Sequence, residues 1–326
     1  MGIMADFKRK RVLIHAGWHK TGSTAVQDWC FANAKDLASS GIRYPTGPAL
    51  YLNGHHQVPW GLGVYHPYKT PNFRSLDFVK AELLKTRDHL ILSSEDFEFM
   101  PERGVSDLKE VLSDCDVKIL IFARNVIDYI NADYQQNVRN LEDRFKYNLP
   151  TFCFMYNMHD RMNYFKLLNK WFHYFGAENV KVIPYGETGK SVIDHVKEEI
   201  GIGEISGSKN IVSNKSLRPV SVRTLQVCNA MYEKKYHIDI VQTLHDLEQD
   251  SDTDYTLISP EIYDEFLRRI KPNFQKIEEK FKIPTACFMR NTSKGKTLLD
   301  DGAWEERLRN VQQRLGFAPF PLGSVG

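Results

Sequence analysis

The sequence predicts an α/β fold in which a mostly parallel central sheet is flanked by helices and followed by a helical C-terminal region. Two observations support this prediction. Short apolar runs of strand length alternate with longer segments whose apolar residues recur at helical spacing. After about residue 205 the strand-like runs fade, and the segments 219–232 and 260–281 have helical patterns.

The predicted strands all lie in the first two thirds of the chain. They are the short apolar runs at 12–16, 42–45, 90–94, 117–122 and 180–183. Helices are predicted between them, at 23–39, 126–140, 159–175 and 192–200. Gly41 follows the first helix, where a glycine commonly ends a helix.

A long segment between the second and third strands, residues 46–75, is rich in Gly, Pro, His, Tyr and Asn. Loops of this length usually have a function, so we expect a functional loop. Its aromatic and imidazole side chains suit a sugar or another polar ring as ligand; they are Tyr51, His55, His56, Trp60, Tyr65 and Tyr68.

Composition narrows the class of protein. The 326 residues are 42% hydrophobic and 26% charged, as in ordinary globular proteins. Because 43 basic and 41 acidic side chains leave a net charge of +2, a general nucleic-acid binder is disfavoured. Five scattered cysteines without a CxxC pair argue against a disulfide scaffold and a zinc ribbon. No apolar window of membrane-spanning length is present, so we expect a cytoplasmic protein without a membrane span.

No composition shift marks a domain boundary. The sequence therefore predicts a single domain over 1–326, with a core at about 10–235 and a helical extension at about 236–326. The last 30 or so residues are expected to form a weakly ordered appendage.

The strongest motif is the segment His-Ala-Gly-Trp-His-Lys-Thr-Gly-Ser-Thr at residues 15–24. It follows the first predicted strand and opens the first helix, so several backbone N–H groups and a helix N-terminus converge on one point. Such a turn binds a phosphate or sulfate anion and indicates a P-loop-like core. The expected anion contacts are Gly17, His19, Lys20, Thr21, Gly22, Ser23 and Thr24.

The spacing of this loop departs from the GxxxxGK[ST] loop of Mg-nucleotide hydrolases. Gly17, Gly22 and Thr24 are in register, but Ser23 stands where that loop has its lysine. The lysine occurs earlier, at Lys20, and the clearest later strand leads to an arginine instead of an aspartate. These departures speak against a P-loop kinase using Mg-ATP, which is kept as an alternative.

The Lys-Thr-Gly-Ser-Thr segment resembles the 5′-phosphosulfate loop of the sulfotransferases, which use 3′-phosphoadenosine 5′-phosphosulfate (PAPS). These enzymes hold the 3′-phosphate through the pattern R-x-x-x-[DR]-x-x-x-S-x-Y. Arg124, Asp128 and Tyr134 are in register with it. Ala132 replaces the serine, and Asn131, one residue earlier, could compensate if the helix is rotated.

Other segments are similar to bacterial sulfotransferases of the HxGxxKTGTTSLQ type, and the resemblance covers about residues 10–235. These segments are Val26-Gln27, 41–45, His55-His56, 93–95, 164–182 and the N-x-S-L motif at 214–217. The resemblance implies PAPS as donor, PAP as product and no metal. Arg124, Asn131 and Asn214 would be further cofactor contacts.

Sulfuryl transfer needs positive charge at the leaving group and a base for the acceptor proton. Lys20 would supply the charge. Glu95 follows a predicted strand at the place where several sulfotransferases carry their base. His56, in the polar loop, is the rival base, because histidine titrates near neutral pH.

These inferences lead to a sulfotransferase that moves a sulfuryl group from PAPS by in-line transfer to a hydroxyl of a carbohydrate or small metabolite, with an amine as second choice. A non-catalytic nucleotide-binding scaffold derived from a sulfotransferase is a further alternative, because of Ala132. The expected partner is the acceptor molecule, without nucleic acid, and a homo-oligomer is left open.

Overall fold

The computed structural model describes residues 9–85, 89–203 and 216–318. The chain forms two compact units, each built from several segments. Unit 1 comprises Met1–Arg124, Tyr164–Ser213 and Lys276–Phe288, and unit 2 comprises Asn125–Asn163, Asn214–Gln275 and Met289–Gly326. The single domain with its core at 10–235 stays a prediction.

Unit 1 contains a parallel five-stranded sheet. Its strands are β1 (Arg11–His15), β2 (Ile42–Arg43), β3 (His89–Ser93), β4 (Asp116–Ala123) and β5 (Val180–Pro184). Their order is β2-β3-β1-β4-β5, so β1 lies between β3 and β4. This confirms the predicted α/β fold with a parallel, P-loop-like sheet. The segments that follow β1, β3 and β4 meet at the carboxyl edge, where α/β sheets bind ligands.

Helices fill most of the described chain. In chain order they are α1 (Ser23–Ala32), α2 (Ala34–Ser39), α3 (Gln57–Gly61), α4 (Ser75–Lys85), α5 (Glu102–Val111), α6 (Val126–Arg139), α7 (Leu149–Met155), α8 (Met158–Arg161), α9 (Tyr164–Phe175), α10 (Val192–Ile200), α11 (Pro219–Met231), α12 (His237–Leu247), α13 (Pro260–Phe281) and α14 (Asp301–Leu315). Among the described residues, no helix combines the length and apolarity that crossing a membrane requires.

The predicted helix over 23–39 is wrong in one respect, because it is two helices that separate at Asn33. The Asn33 side chain donates a hydrogen bond to the Trp29 carbonyl at 2.8 Å, which competes with continuation of the helix. The buried residues of α1 still pack on the sheet, with Val26 and Cys30 in one cluster with Ile91. The apolar spacing therefore predicted the buried face correctly.

The segment 46–75 is more ordered than a plain loop. It contains α3, and at its carboxyl end α4 begins. The His55 backbone N–H donates to the Ser93 carbonyl at 2.7 Å, which ties this segment to the end of β3. The segment is therefore held against the carboxyl edge of the sheet.

Unit 2 is mainly helical, which confirms the helical C-terminal region. It also contains a pair of two-residue strands, β6 (Tyr255–Thr256) and β7 (Thr297–Leu298). The weakly ordered appendage is wrong for α14, which buries Trp304, Leu308 and Val311. In the same helix Arg307 forms a buried ion pair with Asp252 at 2.9 Å. The charge-rich composition of α14 concealed its narrow apolar face.

Candidate active site

Residues 16–22 form a tight turn between β1 and α1. The Thr21 hydroxyl accepts a hydrogen bond from the Trp18 N–H at 3.1 Å and donates one to the Trp18 carbonyl at 2.5 Å. Lys20 and Gly22 have φ angles of 65° and 81°. Glycine adopts this left-handed conformation readily, whereas lysine seldom does, so Lys20 is held there by its surroundings. Such local strain is concentrated at functional sites in proteins.

The start of α1 is open to an anion. Gly22 occupies the N-cap position and has no side chain to cap the helix. The first turn reads Ser-Thr-Ala-Val, so no acidic side chain opposes an anion there. At Gly17 a β-carbon would lie 2.4 Å from Ser23 Oγ, so a larger residue would displace the Ser23 hydroxyl. The predicted glycine turn before a helix start is therefore present, and binding of a phosphate or sulfate group there stays a prediction.

Arg124 follows β4 and reaches this turn. Its Nη1 donates to the Lys20 carbonyl at 2.7 Å, and its guanidinium lies 5.4 Å from the centre of the Tyr185 ring. The Tyr164 hydroxyl donates to the Arg124 carbonyl at 2.8 Å. The structure therefore brings together two cationic residues, Lys20 and Arg124, that are 104 positions apart in the sequence.

Glu95 lies beside the same turn. It begins a 3₁₀ turn, Glu95–Phe99, whose N-cap Ser94 accepts a hydrogen bond from the Asp96 N–H. The Glu95 Cα would be 3.5 Å from a β-carbon at Gly17, and its Oε2 accepts a hydrogen bond from Gln27 Nε2 at 2.6 Å. The Glu95 backbone therefore lies against the turn, and its carboxylate is held to α1.

The rival base, His56, is next to Glu95. Its Nδ1 is 2.8 Å from Asp96 Oδ2 and 2.9 Å from Ser94 Oγ, and its Nε2 is 3.9 Å from Glu95 Oε2. The neighbouring His55 is fully buried, and burial lowers its pKa to about 4. The two histidines thus differ in role, because His55 bonds Pro45 and Ser93 within the fold while His56 faces the two acids.

His19 points its ring between two carboxylates. Its Nδ1 is 2.9 Å from Glu98 Oε2, its Nε2 is 3.4 Å from Asp96 Oδ1, and its backbone N–H also bonds Glu98. Burial opposes its charge, but these acidic partners outweigh burial and raise its pKa to about 10. His19 therefore fastens the turn to the segment after β3. Its contact with the phosphosulfate stays a prediction.

The ion pairs of His19 with Glu98 and Asp96 lead to a prediction for the stability of the fold. Because the folded pKa of His19 lies above its unfolded value of 6.5, its stabilisation is complete below pH 6.5 and is lost as the pH rises to about 10. His19→Gln should lower the free energy of unfolding by about 2–4 kcal/mol at pH 6 and by much less at pH 10. Urea denaturation of both proteins across this range measures the difference.

The exposed His173 provides the matched control, because His173→Gln removes a histidine that has no carboxylate partner among the described residues. It should leave stability nearly unchanged at both pH values. A His19→Gln effect of equal size at pH 6 and pH 10 would show that packing, not charge, is what His19 contributes.

The other histidine of the loop motif, His15, is structural. It is fully buried on β1, bonds Ser93 Oγ at 2.8 Å through Nδ1, and packs against the Phe122 ring. Burial lowers its pKa to about 4, although the charge of Glu95 acts in the opposite direction. The ring is therefore neutral at physiological pH.

Two of the predicted cofactor contacts, Asn131 and Asn214, belong to unit 2. Asn131 donates to the Ile127 carbonyl at 2.9 Å and accepts a hydrogen bond from the Tyr263 hydroxyl at 3.0 Å. Tyr134 is buried, and its hydroxyl donates to the Tyr147 carbonyl. Asn214 lies outside the described residues. The roles of Asn131 and Asn214 toward PAPS stay predictions.

The aromatic residues of the segment 46–75 form a cluster that continues from His56. The rings of Tyr51 and Tyr68 stack at 5.3 Å, and those of Trp60 and His66 stack at 4.0 Å. Trp60 is buried and lies 5.6 Å from the His56 ring, whereas the Tyr68 side chain is 59% exposed. One aromatic surface therefore extends from the candidate base toward solvent.

Sequence reasoning missed Asp96 and Glu98, which connect the candidate residues, and it named Gln27 only as part of the resemblance. Asp96 bonds His56 and also Trp60 Nε1, while Glu98 bonds His19. A serine followed by three acids within four residues is a signal for a capped turn. The partners of these acids come from distant segments, which no local pattern reveals.

Comparison with known proteins shows which proteins share this fold. No protein-family model matches the chain, and no curated protein sequence matches it. The crystal structure of a sulfotransferase from Alicyclobacillus acidocaldarius is similar, with a TM-score of 0.50 and 14% sequence identity. The similarity covers 87% of this chain and 100% of that one. The chain therefore has the fold of a sulfotransferase, built around a parallel P-loop-like sheet.

Proposed function

We propose that this protein is a PAPS-dependent sulfotransferase that moves a sulfuryl group to a hydroxyl of a carbohydrate or small metabolite. The observation that carries the proposal is the hydrogen bond from Arg124 to the Lys20 carbonyl. This bond joins the turn that contains Lys20 to the arginine that follows the adjacent strand, β4. Two separate cations suit a donor with two separated anionic groups, the 5′-phosphosulfate and the 3′-phosphate.

The turn and Arg124 would hold the donor. The N–H groups at the start of α1 and the Lys20 ammonium would hold the 5′-phosphosulfate, and the fit of the turn to such an anion rests on Gly17 and Gly22. The Arg124 guanidinium would hold the 3′-phosphate. When bound, PAPS supplies a sulfuryl group attached to a phosphate leaving group. Preorganised positive charge at that leaving group is the largest catalytic contribution we expect from this chain.

The acceptor would approach from the side of the aromatic cluster. Tyr51 and Tyr68 are stacked, and Tyr68 leaves a large part of its ring exposed. Aromatic faces of this kind suit a sugar or another ring. His56 and Glu95 lie at the inner end of the cluster, where either could receive the acceptor proton.

Calorimetric titration with PAP in the presence of EDTA tests this function, beside titration with ATP and Mg²⁺. We expect PAP to bind with a dissociation constant in the micromolar range, about −8 kcal/mol, without metal. Tight binding of Mg-ATP with no response to PAP would replace the proposal with the kinase alternative. Weak PAP binding with no release of PAP from PAPS in the presence of any tested hydroxyl acceptor would favour the non-catalytic scaffold.

A further inference from the structure

The carboxylate of Asp96 holds His56 in one orientation. His56 is 6% exposed, and its Nδ1 lies 2.8 Å from Asp96 Oδ2. The same oxygen accepts a hydrogen bond from Trp60 Nε1 at 2.8 Å, and the Asp96 N–H bonds Ser94 Oγ. Asp96 is therefore anchored by its backbone and by an indole N–H, and a carboxylate at this place requires a proton on His56 Nδ1.

The other ring nitrogen remains available. Glu95 Oε2 lies 3.9 Å from His56 Nε2, which is beyond hydrogen-bonding distance. Within the three described ranges Nε2 has no hydrogen-bond partner. A proton on Nδ1 leaves the lone pair on Nε2, which is the basic form of a neutral imidazole.

Glu95 is placed differently. Its Oε2 is engaged by Gln27 Nε2 at 2.6 Å, and a neutral imidazole is a stronger base than a carboxylate. At 3.9 Å from Nε2, Glu95 is well placed to stabilise the imidazolium once the proton has arrived.

We propose, building on the sulfotransferase function above, that His56 is the catalytic base and that Asp96 is its positioning residue. The acceptor hydroxyl gives its proton to His56 Nε2 while its oxygen forms the new bond to sulfur. The electron pair of the broken S–O bond stays on the departing phosphate oxygen, and the His56 proton later passes to solvent. Asp96 fixes the tautomer that makes this transfer possible, as carboxylates do for other catalytic histidines.

Several titratable groups face His56. They are Asp96 and Glu95 after β3, His55 beside it in the chain, Tyr51, and His66 stacked on Trp60. Burial lowers the pKa of both His55 and His66, so neither adds positive charge at neutral pH. The two carboxylates are the charged groups nearest to His56, and the protonated His19 on the other oxygen of Asp96 partly offsets their charge.

The experiment measures two quantities, the position of the proton on the His56 ring and the rate of PAP release. In ligand-free protein, ¹⁵N NMR should find the His56 proton on Nδ1. In Asp96→Asn a smaller fraction should be there, because the uncharged amide oxygen is a weaker acceptor and Trp60 Nε1 also engages it. Asp96→Asn should lower the release of PAP from PAPS, with methyl β-D-glucopyranoside or water as acceptor, by about 10²–10⁴-fold. PAP affinity should stay within about threefold, or about 0.6 kcal/mol.

Controls separate this role from a structural one. Glu95→Gln should keep the Nδ1 tautomer, and Asp96→Glu should restore part of the rate. His19→Gln removes the partner of the other carboxylate oxygen of Asp96, Oδ1, and should leave the His56 tautomer unchanged. A His56 proton on Nε2 in the unaltered protein, or an unchanged rate in Asp96→Asn, overturns the proposal. Absence of PAP binding by the unaltered protein overturns the sulfotransferase function instead, and with it the base role, whatever the tautomer.

Discussion

Replacement of Lys20 by asparagine is expected to lower the rate of sulfuryl transfer by about 10²–10³-fold, the usual loss when one preorganised charge or donor is removed at a reacting centre. Asparagine is the informative substitute because it tolerates a left-handed backbone, and Lys20 has a φ of 65°. The variant therefore removes the ammonium while the turn keeps its shape. Single-turnover measurement with saturating PAPS isolates this chemical effect from donor binding.

Lys35 provides the matched control for this variant, because it is exposed on α2 of the same unit. Lys35→Asn should retain the rate of the unaltered protein. Lys20→Arg should recover part of the rate, since it restores the charge with a different geometry. A Lys20→Asn protein that transfers as fast as the unaltered one would remove Lys20 from the catalytic machinery and leave the turn as a binding element alone.

Replacement of Arg124 by alanine is expected to weaken PAP binding by about 10–100-fold, since a charge-assisted hydrogen bond to phosphate contributes about 1.5–3 kcal/mol. The loss should depend on the 3′-phosphate. Calorimetry with PAP and with adenosine 5′-phosphate, which lacks that group, forms a cycle with the unaltered protein and Arg124→Ala. Affinity for adenosine 5′-phosphate should change little.

The cycle also tests the alternative role of Arg124, which is to hold the Lys20 carbonyl. Equal losses of affinity for both nucleotides would assign Arg124 to the support of the turn and not to the 3′-phosphate. Arg103 on α5 is a suitable control because its side chain is 92% exposed. Arg103→Ala should leave both affinities unchanged.

Local patterns predicted much of this fold correctly. The helices at 126–140, 219–232 and 260–281 agree with α6, α11 and α13 to within a residue or so. The strands at 90–94 and 180–183 agree equally well with β3 and β5. These elements have buried faces whose period appears directly in the sequence, so no knowledge of distant contacts was needed.

The errors occurred where side chains compete with the backbone or where apolar residues are sparse. Asn33 divides one predicted helix because its amide bonds the Trp29 carbonyl, an outcome that the apolar spacing around it does not reveal. The helix α14 was missed because charged residues surround its few core positions. In both places a single side chain or a narrow face outweighed the average character of the segment.

By itself the sequence determined the turn between β1 and α1. Glycines at 17 and 22 and a helix start specify its conformation through backbone sterics, which depend only on neighbouring residues, and with Lys20 and the helix dipole they predict an anion site. The approach of Arg124 to the carbonyl of Lys20 was decided by the tertiary structure. So was the triad of His56, Asp96 and Trp60, whose members come from segments on either side of β3. For Arg124 the physical reason is the strand order, which puts β4 beside β1 and brings the segments that follow these strands to one edge of the sheet. For His56 and Trp60 it is the hydrogen bond from the His55 N–H to the Ser93 carbonyl, which holds their segment at the end of β3.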